Sequence, residues 1–262
     1  MDFGLAGKVA LVAASSRGLG RAVAEELAQE GAQLVLCARG ADELEKTAAA
    51  LRERGAQVEA LAIDLSEAAD VERLAAAALQ RFGRIDVLVT NTGGPPSGPF
   101  ESHDIETWRS AVRVNLESVI FLIRTVLPGM KQRGWGRIVN VTSIAVKQPV
   151  DGLILSNSVR AAVTGLARTL ANEVARYGIT VNNVLPGYTR TERLTDLSAA
   201  IARREAISEA QAQARWISEI PMGRLGEPRE FAAMVAFLCS ERASFITGAS
   251  ITVDGGWTKS LL

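Results

Sequence analysis

The sequence contains few residues that form cross-links or bind metal ions. Its 262 residues include two cysteines, Cys37 and Cys239, and a single histidine. Two cysteines make neither a disulfide framework nor a set of metal ligands, and such low usage is typical of a reducing compartment. We therefore expect no metal site and no disulfide.

A net charge and long hydrophobic runs are also absent. Lys and Arg together number 29, as do Asp and Glu, so no overall field favours nucleic acid or an anionic membrane. No apolar run approaches the ~20 residues of a membrane span, and the N-terminus lacks a basic-then-apolar leader. A soluble cytoplasmic protein without nucleic-acid or membrane partners is expected.

Short apolar runs alternate with amphipathic helical patterns along the chain. Strands alternating with helices indicate βαβ units, and strands that are apolar on both faces indicate a sheet covered on both sides. No linker interrupts the pattern, so residues 1–262 are predicted to form a single doubly wound (Rossmann) α/β domain with a seven-stranded parallel sheet. The predicted strands are Val9–Val12, Leu34–Leu36, Val58–Ile63, Ile85–Val89, Ile138–Val141, Ile179–Leu185 and Ile251–Val253.

Residues 188–226 interrupt the alternation between the sixth strand and the next helix. The middle of this segment, Leu197–Ile217, is rich in Ala, Glu, Gln and Arg and is predicted to be helical. Because ligands bind beyond the carboxyl ends of the strands in open α/β sheets, the segment is a candidate lid. The alternative is a helical insertion that packs on the body of the domain.

The first predicted strand runs into a glycine-containing turn, Ala13–Gly20, and a helix follows. Glycines allow the backbone to approach a pyrophosphate closely, and the helix N-terminus supplies free N–H groups. The pattern predicts a dinucleotide site, with a vestigial turn as the alternative. Its candidate residues are Ser15, Ser16, Arg17, Gly18, Leu19 and Gly20.

The second predicted strand ends in Cys37-Ala38-Arg39, with no acidic residue at its tip. A carboxylate there would accept a hydrogen bond from the ribose 2′-OH of NAD, whereas a guanidinium suits a 2′-phosphate. Arg39, together with Arg17 in the turn, therefore favours NADP(H) as the cofactor. Under the alternative, both are ordinary surface arginines, and Asp42 or Glu43 competes for Arg39.

These and later segments resemble the short-chain dehydrogenase/reductase family, and within it a divergent subgroup of β-ketoacyl-acyl-carrier-protein reductases. The turn is similar to the family's Thr-Gly-x-x-x-Gly-x-Gly motif, but Ala14 replaces the first glycine, which is tolerable if its φ stays negative. The likeness extends from Gly7 to Gly256 and implies the strand order 3-2-1-4-5-6-7. For Asp64, helix capping is the alternative to a cofactor contact. The cofactor contacts that the resemblance implies are Asp64, Leu65, Asn91, Gly93, Arg160, Pro186 and Gly187.

The family's catalytic tetrad of Asn, Ser, Tyr and Lys is only partly present. By resemblance, Asn115 and Ser143 match the first two members, but Ser156 stands at the tyrosine position and Arg160 at the lysine position. A cation tunes a phenol of pKa ~10 toward neutrality, but it cannot do so for an alcohol such as serine. Arg160 keeps the positive charge and can bind ribose hydroxyls, yet it does not release a proton at working pH.

Another group is therefore needed to supply the proton. Tyr188 follows the Pro186-Gly187 turn, which the resemblance places beside the nicotinamide, so Tyr188 is the candidate replacement acid. The alternative for Tyr188 is an aromatic residue that packs the lid. A relay from Ser156 through water to Asn115 is a further solution.

Three functions remain open. The first is an NADP(H)-dependent oxidoreductase that reduces a small ketone or a β-ketoacyl thioester with non-standard proton donation. The second is a catalytically impaired NADP(H)-binding sensor or partner subunit, and the third is dehydration or isomerisation on the same scaffold. The resemblance also implies a homotetramer or homodimer, paired through helices Trp108–Lys131 and Ser158–Tyr177.

Overall fold

A computed structural model describes residues 2–261, and its strands form one parallel sheet. The strands are β1 Val9–Val12, β2 Gln33–Ala38, β3 Val58–Ala62, β4 Val87–Thr90, β5 Gly136–Val141, β6 Ile179–Pro186 and β7 Ser250–Val253. Each overlaps a predicted strand, and their order is β3-β2-β1-β4-β5-β6-β7. The predicted fold class and strand order are therefore confirmed.

Helices cover both faces of this sheet. They are α1 Gly18–Gln29, α2 Ala41–Glu53, α3 Ala68–Phe82, α4 Ile105–Val112, α5 Ser118–Arg133, α6 Ile154–Val174, α7 Glu192–Glu205, α8 Glu209–Glu219 and α9 Pro228–Cys239. Successive strand residues point to opposite faces, so each strand supplies two cores. Helices α1, α2 and α9 pack on one face, and α3, α5 and α6 pack on the other. Within residues 2–261, none of the helices combines the length and the apolar character that a bilayer span requires.

The candidate lid consists of two helices, whereas the sequence predicted one over Leu197–Ile217. Helix α7 ends at Ala206, whose φ of 54° is left-handed, and α8 begins with a capping box between Ser208 and Gln211. The short polar Ser208 satisfies the first N–H groups of a new helix, so the chain restarts there instead of continuing. The lid is joined to the body at its base, where Gly226 accepts from the Arg190 N–H and donates to the Tyr188 carbonyl.

A row of hydrogen-bonded side chains crosses the sheet near the carboxyl ends of four strands. Thr90 Oγ1 donates to Asn140 Oδ1 at 2.8 Å, and Asn140 Nδ2 donates to Asn183 Oδ1 at 3.1 Å. Asn183 Nδ2 then donates to Ser250 Oγ at 3.0 Å. These four residues are also register partners in the sheet. Thr90, Asn140 and Asn183 are buried, so each depends on its neighbour for a partner that water cannot supply.

The glycine-containing turn after β1 adopts a conformation that alanine disfavours. Ala14 has a φ of 48°, so the condition under which alanine was expected to be tolerable, a negative φ, is not met. The reason lies in its surroundings. The Ala14 carbonyl accepts a hydrogen bond from Asn91 Nδ2 at 3.3 Å, and it lies 2.2 Å from where a Cβ on Gly20 would be. Contacts with β4 and α1 therefore hold the backbone at position 14 in the shape that a glycine would adopt, although no glycine is present.

Replacing Asn140 with alanine is expected to destabilise the protein by about 3 kcal/mol. The substitution leaves the Thr90 hydroxyl and the Asn183 carbonyl oxygen buried without partners, and each such loss costs about 1–3 kcal/mol. Urea denaturation followed by circular dichroism measures the change. The matched control is Asn172→Ala on the exposed side of α6, which should stay within about 0.5 kcal/mol of wild type. Equal effects at the two sites would contradict the role given to the row.

Replacing Ala14 with glycine is expected to stabilise the protein by about 0.5–1 kcal/mol. A left-handed conformation costs a non-glycine residue about 1–2 kcal/mol, and glycine removes this cost. Part of the gain is lost, because glycine has greater conformational freedom in the unfolded chain. Ala13→Gly is the control, because Ala13 is buried and lacks a positive φ, and it should lower the free energy of unfolding. A destabilised Ala14→Gly variant would show that the turn is not strained.

Candidate active site

The turn between β1 and α1 leaves a helix N-terminus open. Helix α1 begins at Gly18 without a side-chain cap, so its first N–H groups lack side-chain partners. A Cβ on Gly20 would lie 2.2 Å from the Ala14 carbonyl oxygen, so only glycine fits at position 20. Leu19 is partly buried and packs against the core beneath the turn. This arrangement suits a phosphate group at the end of the helix.

The two serines of the turn are engaged in shaping it. Ser15 is fully buried, and both its backbone N–H and its hydroxyl bond to the backbone of Cys37 at the end of β2. The Ser16 carbonyl accepts from Thr47 Oγ1 at 2.9 Å. Both were predicted as cofactor-binding residues, and the structure gives the Ser15 side chain a partner inside the protein. Burial raises the pKa of the Cys37 thiol to about 12, so this thiol is not a nucleophile.

Arg17 and Arg39 lie exposed at the corner between the turn and the end of β2. Among the residues that the structure describes, neither guanidinium group makes a hydrogen bond or lies within 4 Å of a carboxylate oxygen. Glu43, one expected competitor for Arg39, pairs instead with Lys46 at 2.5 Å. Both guanidinium groups are therefore available to an anion from outside the chain.

Asp64 and Leu65 follow β3. The Asp64 carboxylate accepts from the Ser66 backbone N–H at 2.9 Å and from its hydroxyl at 2.8 Å. These hydrogen bonds, first the one from the backbone, lower the pKa of Asp64, and the charge of Arg39 adds to the effect. Asp64 therefore stabilises the turn before α3, a role similar to the helix-capping alternative. Leu65 packs on the core.

Arg160 and Asn115 form the centre of a buried network. The Arg160 guanidinium donates from Nη1 to the Val141 carbonyl at 2.9 Å and from Nη2 to Asn115 Oδ1 at 3.4 Å. Thr92, directly beyond β4, donates to the same Asn115 oxygen at 2.9 Å. Asn115 lies in a π-helical turn, Arg113–Glu117, which joins α4 to α5; such turns re-aim side chains and are frequent at functional sites.

The charge of Arg160 is held in a desolvated environment. The residue is only 8% exposed. Burial, together with the smaller effect of the positive charge of Arg193, lowers the pKa of Arg160 to about 10. The guanidinium is still charged at neutral pH. Position 160 therefore keeps a cation but not a group that exchanges protons near pH 7.

Two hydroxyl groups accompany this cation. Ser143 begins the short turn after β5, and its Oγ accepts from the Ala145 N–H at 3.1 Å. Ser156 lies one helical turn before Arg160 on α6, on the same face, and is 8% exposed. Neither hydroxyl donates a hydrogen bond to another residue within 2–261. Both protons are therefore available to an oxygen atom in the site.

Tyr188 lies in the aromatic cluster that joins the lid to the body. Its ring stacks on Trp216 with centroids 5.0 Å apart and meets Trp257 edge-on at 5.7 Å. Burial raises the pKa of Tyr188 to about 12, and the charges of Glu219 and Asp151 act in the same direction. This direction is opposite to the tuning that a general acid needs at neutral pH. The contacts favour the packing alternative over the replacement acid.

Three further residues predicted to contact the cofactor lie at the same edge of the sheet. Gly187 donates to the Val253 carbonyl, and a Cβ on it would lie 2.6 Å from the Asp254 Cβ, so the Pro186-Gly187 turn packs closely against the end of β7. A Cβ on Gly93 would meet nothing within 4 Å, which leaves open space beside the loop after β4.

Arg193 is a site residue that the sequence analysis missed. It occupies the first turn of α7, and its Nη2 donates to the Pro95 carbonyl at 2.7 Å. A Cβ on Gly94 would lie 2.8 Å from Arg193 Nε, so the guanidinium lies directly on the loop after β4. Burial lowers its pKa. The sequence did contain one indication of this role. An arginine in the first turn of a helix is unfavourable next to the positive end of the helix dipole, so its presence there suggests a function other than helix stability.

Comparisons with known proteins agree with this geometry. A family model described as "Enoyl-(Acyl carrier protein) reductase" matches residues 13–258. The chain is 38% identical to "Dehydrogenase/reductase SDR family member 4" of Oryctolagus cuniculus, over 96% of this chain and 94% of that one. It is 36% identical to a "Putative ketoacyl reductase" of Streptomyces coelicolor, over 95% and 96%.

A solved structure resembles the whole fold. The L-sorbose reductase of Gluconobacter frateurii, solved in complex with NADPH and L-sorbose, superposes with a TM-score of 0.94. It is 33% identical, and the match covers 100% of both chains. The match of the family model over most of the chain, the identity to these relatives and the superposition of the whole fold lead to one conclusion: the chain belongs to the short-chain dehydrogenase/reductase family.

Proposed function

We propose that the protein is an NADP(H)-dependent reductase of ketones or β-ketoacyl thioesters. One observation carries the proposal: two undonated hydroxyl protons, on Ser143 and Ser156, accompany the buried cation Arg160 in the site at the carboxyl end of the sheet. Hydrogen-bond donors and a fixed positive charge stabilise a carbonyl oxygen as negative charge develops on it. The ketoacyl reductase name of one relative supports the same substrate class.

The residues around the turn after β1 fit NADP(H). The open N-terminus of α1 would hold the pyrophosphate, and the unpaired Arg17 and Arg39 would hold a 2′-phosphate. The open space beside Gly93 leaves room on the nicotinamide side. The similar L-sorbose reductase was solved with NADPH, which supports this choice. When bound, NADPH supplies the hydride.

The chain's own residues position the carbonyl and stabilise its charge. The Ser143 and Ser156 hydroxyls donate to the carbonyl oxygen, and Arg160 stabilises the alkoxide electrostatically while its own protons stay in place. The alkoxide would take its proton from the Ser156 hydroxyl, which solvent would reprotonate through a water held by Asn115. Tyr188 stays protonated within its aromatic contacts. A positioned general acid typically contributes about 10²–10⁴-fold in rate, so turnover is expected to be slow for this family.

A non-catalytic NADP(H)-binding protein is the second candidate. The hydrogen bonds of Arg160 favour this candidate, because its guanidinium donates to Val141 and Asn115 within the protein and not to a ligand. On this alternative the cation holds the network together and the cofactor is sensed but not consumed. Turnover of NADPH in the presence of a carbonyl compound separates the two candidates.

We also propose a cytoplasmic single-domain enzyme that assembles as a homotetramer or homodimer. Helix α6 presents small exposed residues, Ala161, Ala162 and Gly165, that would allow a second copy to approach closely. The two-helix segment over 188–226 would act as a lid, since α7 contacts the loop after β4 through Arg193.

Arg39→Gln is expected to weaken NADPH binding about 10- to 100-fold and to leave NADH binding within twofold. The substitution removes a charge-assisted contact that the 2′-phosphate alone can make. Titration of the pure protein with each cofactor, followed by nicotinamide fluorescence, measures both constants. Arg54→Gln on the exposed end of α2 is the matched control and should bind both cofactors as wild type does. Equal loss for NADH and NADPH would assign Arg39 a structural role.

Ser143→Ala is expected to lower kcat about 10²-fold and to leave the dissociation constant of NADPH within twofold. It removes one donor to the carbonyl oxygen, a group that acts mainly in the transition state. Steady-state NADPH oxidation with a panel of ketones and β-ketoacyl thioesters measures the effect. Ser158→Ala is the control, because the Ser158 hydroxyl is exposed and bonds only to the Ile154 carbonyl.

The double variant Ser156→Tyr with Arg160→Lys separates the reductase from the sensor. For a reductase, the wild type already oxidises NADPH and the double variant is faster, because a tunable phenol is restored. For a sensor, the wild type shows no turnover at saturating NADPH, and activity arises only in the double variant.

A further inference from the structure

Two arginines of the site, Arg160 and Arg193, lack an acidic partner within the described residues. Arg160 bonds to the Val141 carbonyl and to the Asn115 amide oxygen, and Arg193 bonds to the Pro95 carbonyl. All three acceptors are neutral. Within residues 2–261, no carboxylate oxygen lies within 4 Å of either guanidinium. The exposed Asp196 acts on Arg193 only from beyond that distance.

Leaving the buried charge of Arg160 without an acidic partner is costly for the folded protein. Arg160 is more than nine-tenths buried, and the charge of Arg193 acts on it with the sign of repulsion. Buried charges are normally paired, because a buried charge loses its hydration and only an opposite charge or hydrogen bonds offset that loss. Helix α7 adds to the cost, since Arg193 stands in its first turn beside the positive end of the helix dipole. Because these positive charges are unfavourable in the protein alone, we expect an anion from outside the chain to bind beside them.

The direction of the side chains on α7 identifies the source of that anion. Glu192 points toward the turn after β1, where its Oε2 lies 3.4 Å from the place of a Cβ on Gly18. Arg193 points the other way, onto Gly94 and Pro95 in the loop after β4. The lid therefore presents an acid toward the expected pyrophosphate and a cation toward the expected substrate. The anion belongs to the substrate, not to the cofactor phosphates.

We propose that the substrate is an oxo acid, whose free carboxylate is bound by Arg193 in the field of Arg160. This inference rests on the proposed reductase function. The carbonyl carbon would receive a hydride released as a C–H bond of NADPH breaks. The C=O π electrons would move to oxygen, which would take one proton from water. The products are a hydroxy acid and NADP⁺, and the carboxylate is unchanged. Arg193 is the specificity-determining residue, because its planar fork matches a carboxylate.

The test compares oxo acids with their methyl esters, which have the same carbonyl but no charge. The substrates are 2-oxo and 3-oxo acids of increasing chain length, and the proteins are the full-length wild type, Arg193→Gln, Arg193→Lys and Arg203→Gln. For the best substrate, kcat/KM of the wild type should be about 10- to 100-fold higher for the acid. Arg193→Gln should remove this preference and change the ester values less than twofold, and Arg193→Lys should be intermediate.

Arg203→Gln is the matched control, because Arg203 is exposed on the last turn of the same helix. It should keep the acid preference of the wild type. Thermal unfolding of each variant separates loss of folding from loss of recognition. Esters that serve as well as acids in the wild type, or an Arg193→Gln variant that loses both alike, would overturn the assignment. So would a tenfold weaker affinity of Arg193→Gln for NADPH with the acid preference intact, which would place the anion on the cofactor.

Equilibrium binding gives a readout that does not depend on turnover. The ligands are the same carboxylic acids without the oxo group, which cannot be reduced, and their methyl esters. Calorimetry measures their binding to the complex of protein and NADPH. Binding of carboxylates that depends on Arg193, without reduction of any oxo acid, supports the anion site and overturns the reductase. Reduction of esters without any preference for acids supports the reductase and overturns the anion site.

Discussion

The row of hydrogen bonds from Thr90 through Asn140 and Asn183 to Ser250 holds the carboxyl ends of four strands at one level. Three of these side chains are buried, so each needs the partner that the neighbouring strand provides. The segments that come directly after β4, β5 and β6 carry the polar groups of the candidate site. If one strand slipped along another, the row would break and those groups would separate. The same bonds that stabilise the sheet therefore also set the geometry of the site.

On the proposed mechanism, the site stabilises charge without a side chain that exchanges a proton near pH 7. Arg160 keeps the cation, and Ser143 with Ser156 keeps two hydroxyl donors, but no phenol with a lowered pKa stands among them. On the proposed mechanism, hydride transfer draws on positioning and electrostatics, and solvent supplies the proton. The uncompensated charge of Arg193 is then explained by substrate binding. A carboxylate on the substrate would offset the positive charges of Arg193 and Arg160, for which the folded chain provides no acidic partner.

Much of the fold was predictable because its signals are local. Alternating apolar runs located all seven strands, and the glycines at the start of α1 located the turn at the edge of the sheet. The prediction for the lid was wrong in one respect, since composition indicated a single helix where Ser208 starts a second one. For Ala14 the expectation was conditional on a negative φ, and the structure does not meet that condition. Its φ follows from contacts with Asn91 and Gly20, and neither contact is visible in the residues on either side.

By itself, the sequence determined the class of fold and, through family likeness, the strand order. It also predicted that Ser156 and Arg160 stand at the family's tyrosine and lysine positions. These follow from residue type and spacing along the chain. Only the tertiary structure decided that Arg160 is buried against neutral acceptors, that Tyr188 is enclosed by tryptophans, and that Arg193 lies on the loop after β4. The physical reason is that burial and charge pairing depend on which distant segments meet, and the packing of the lid on the sheet determines that.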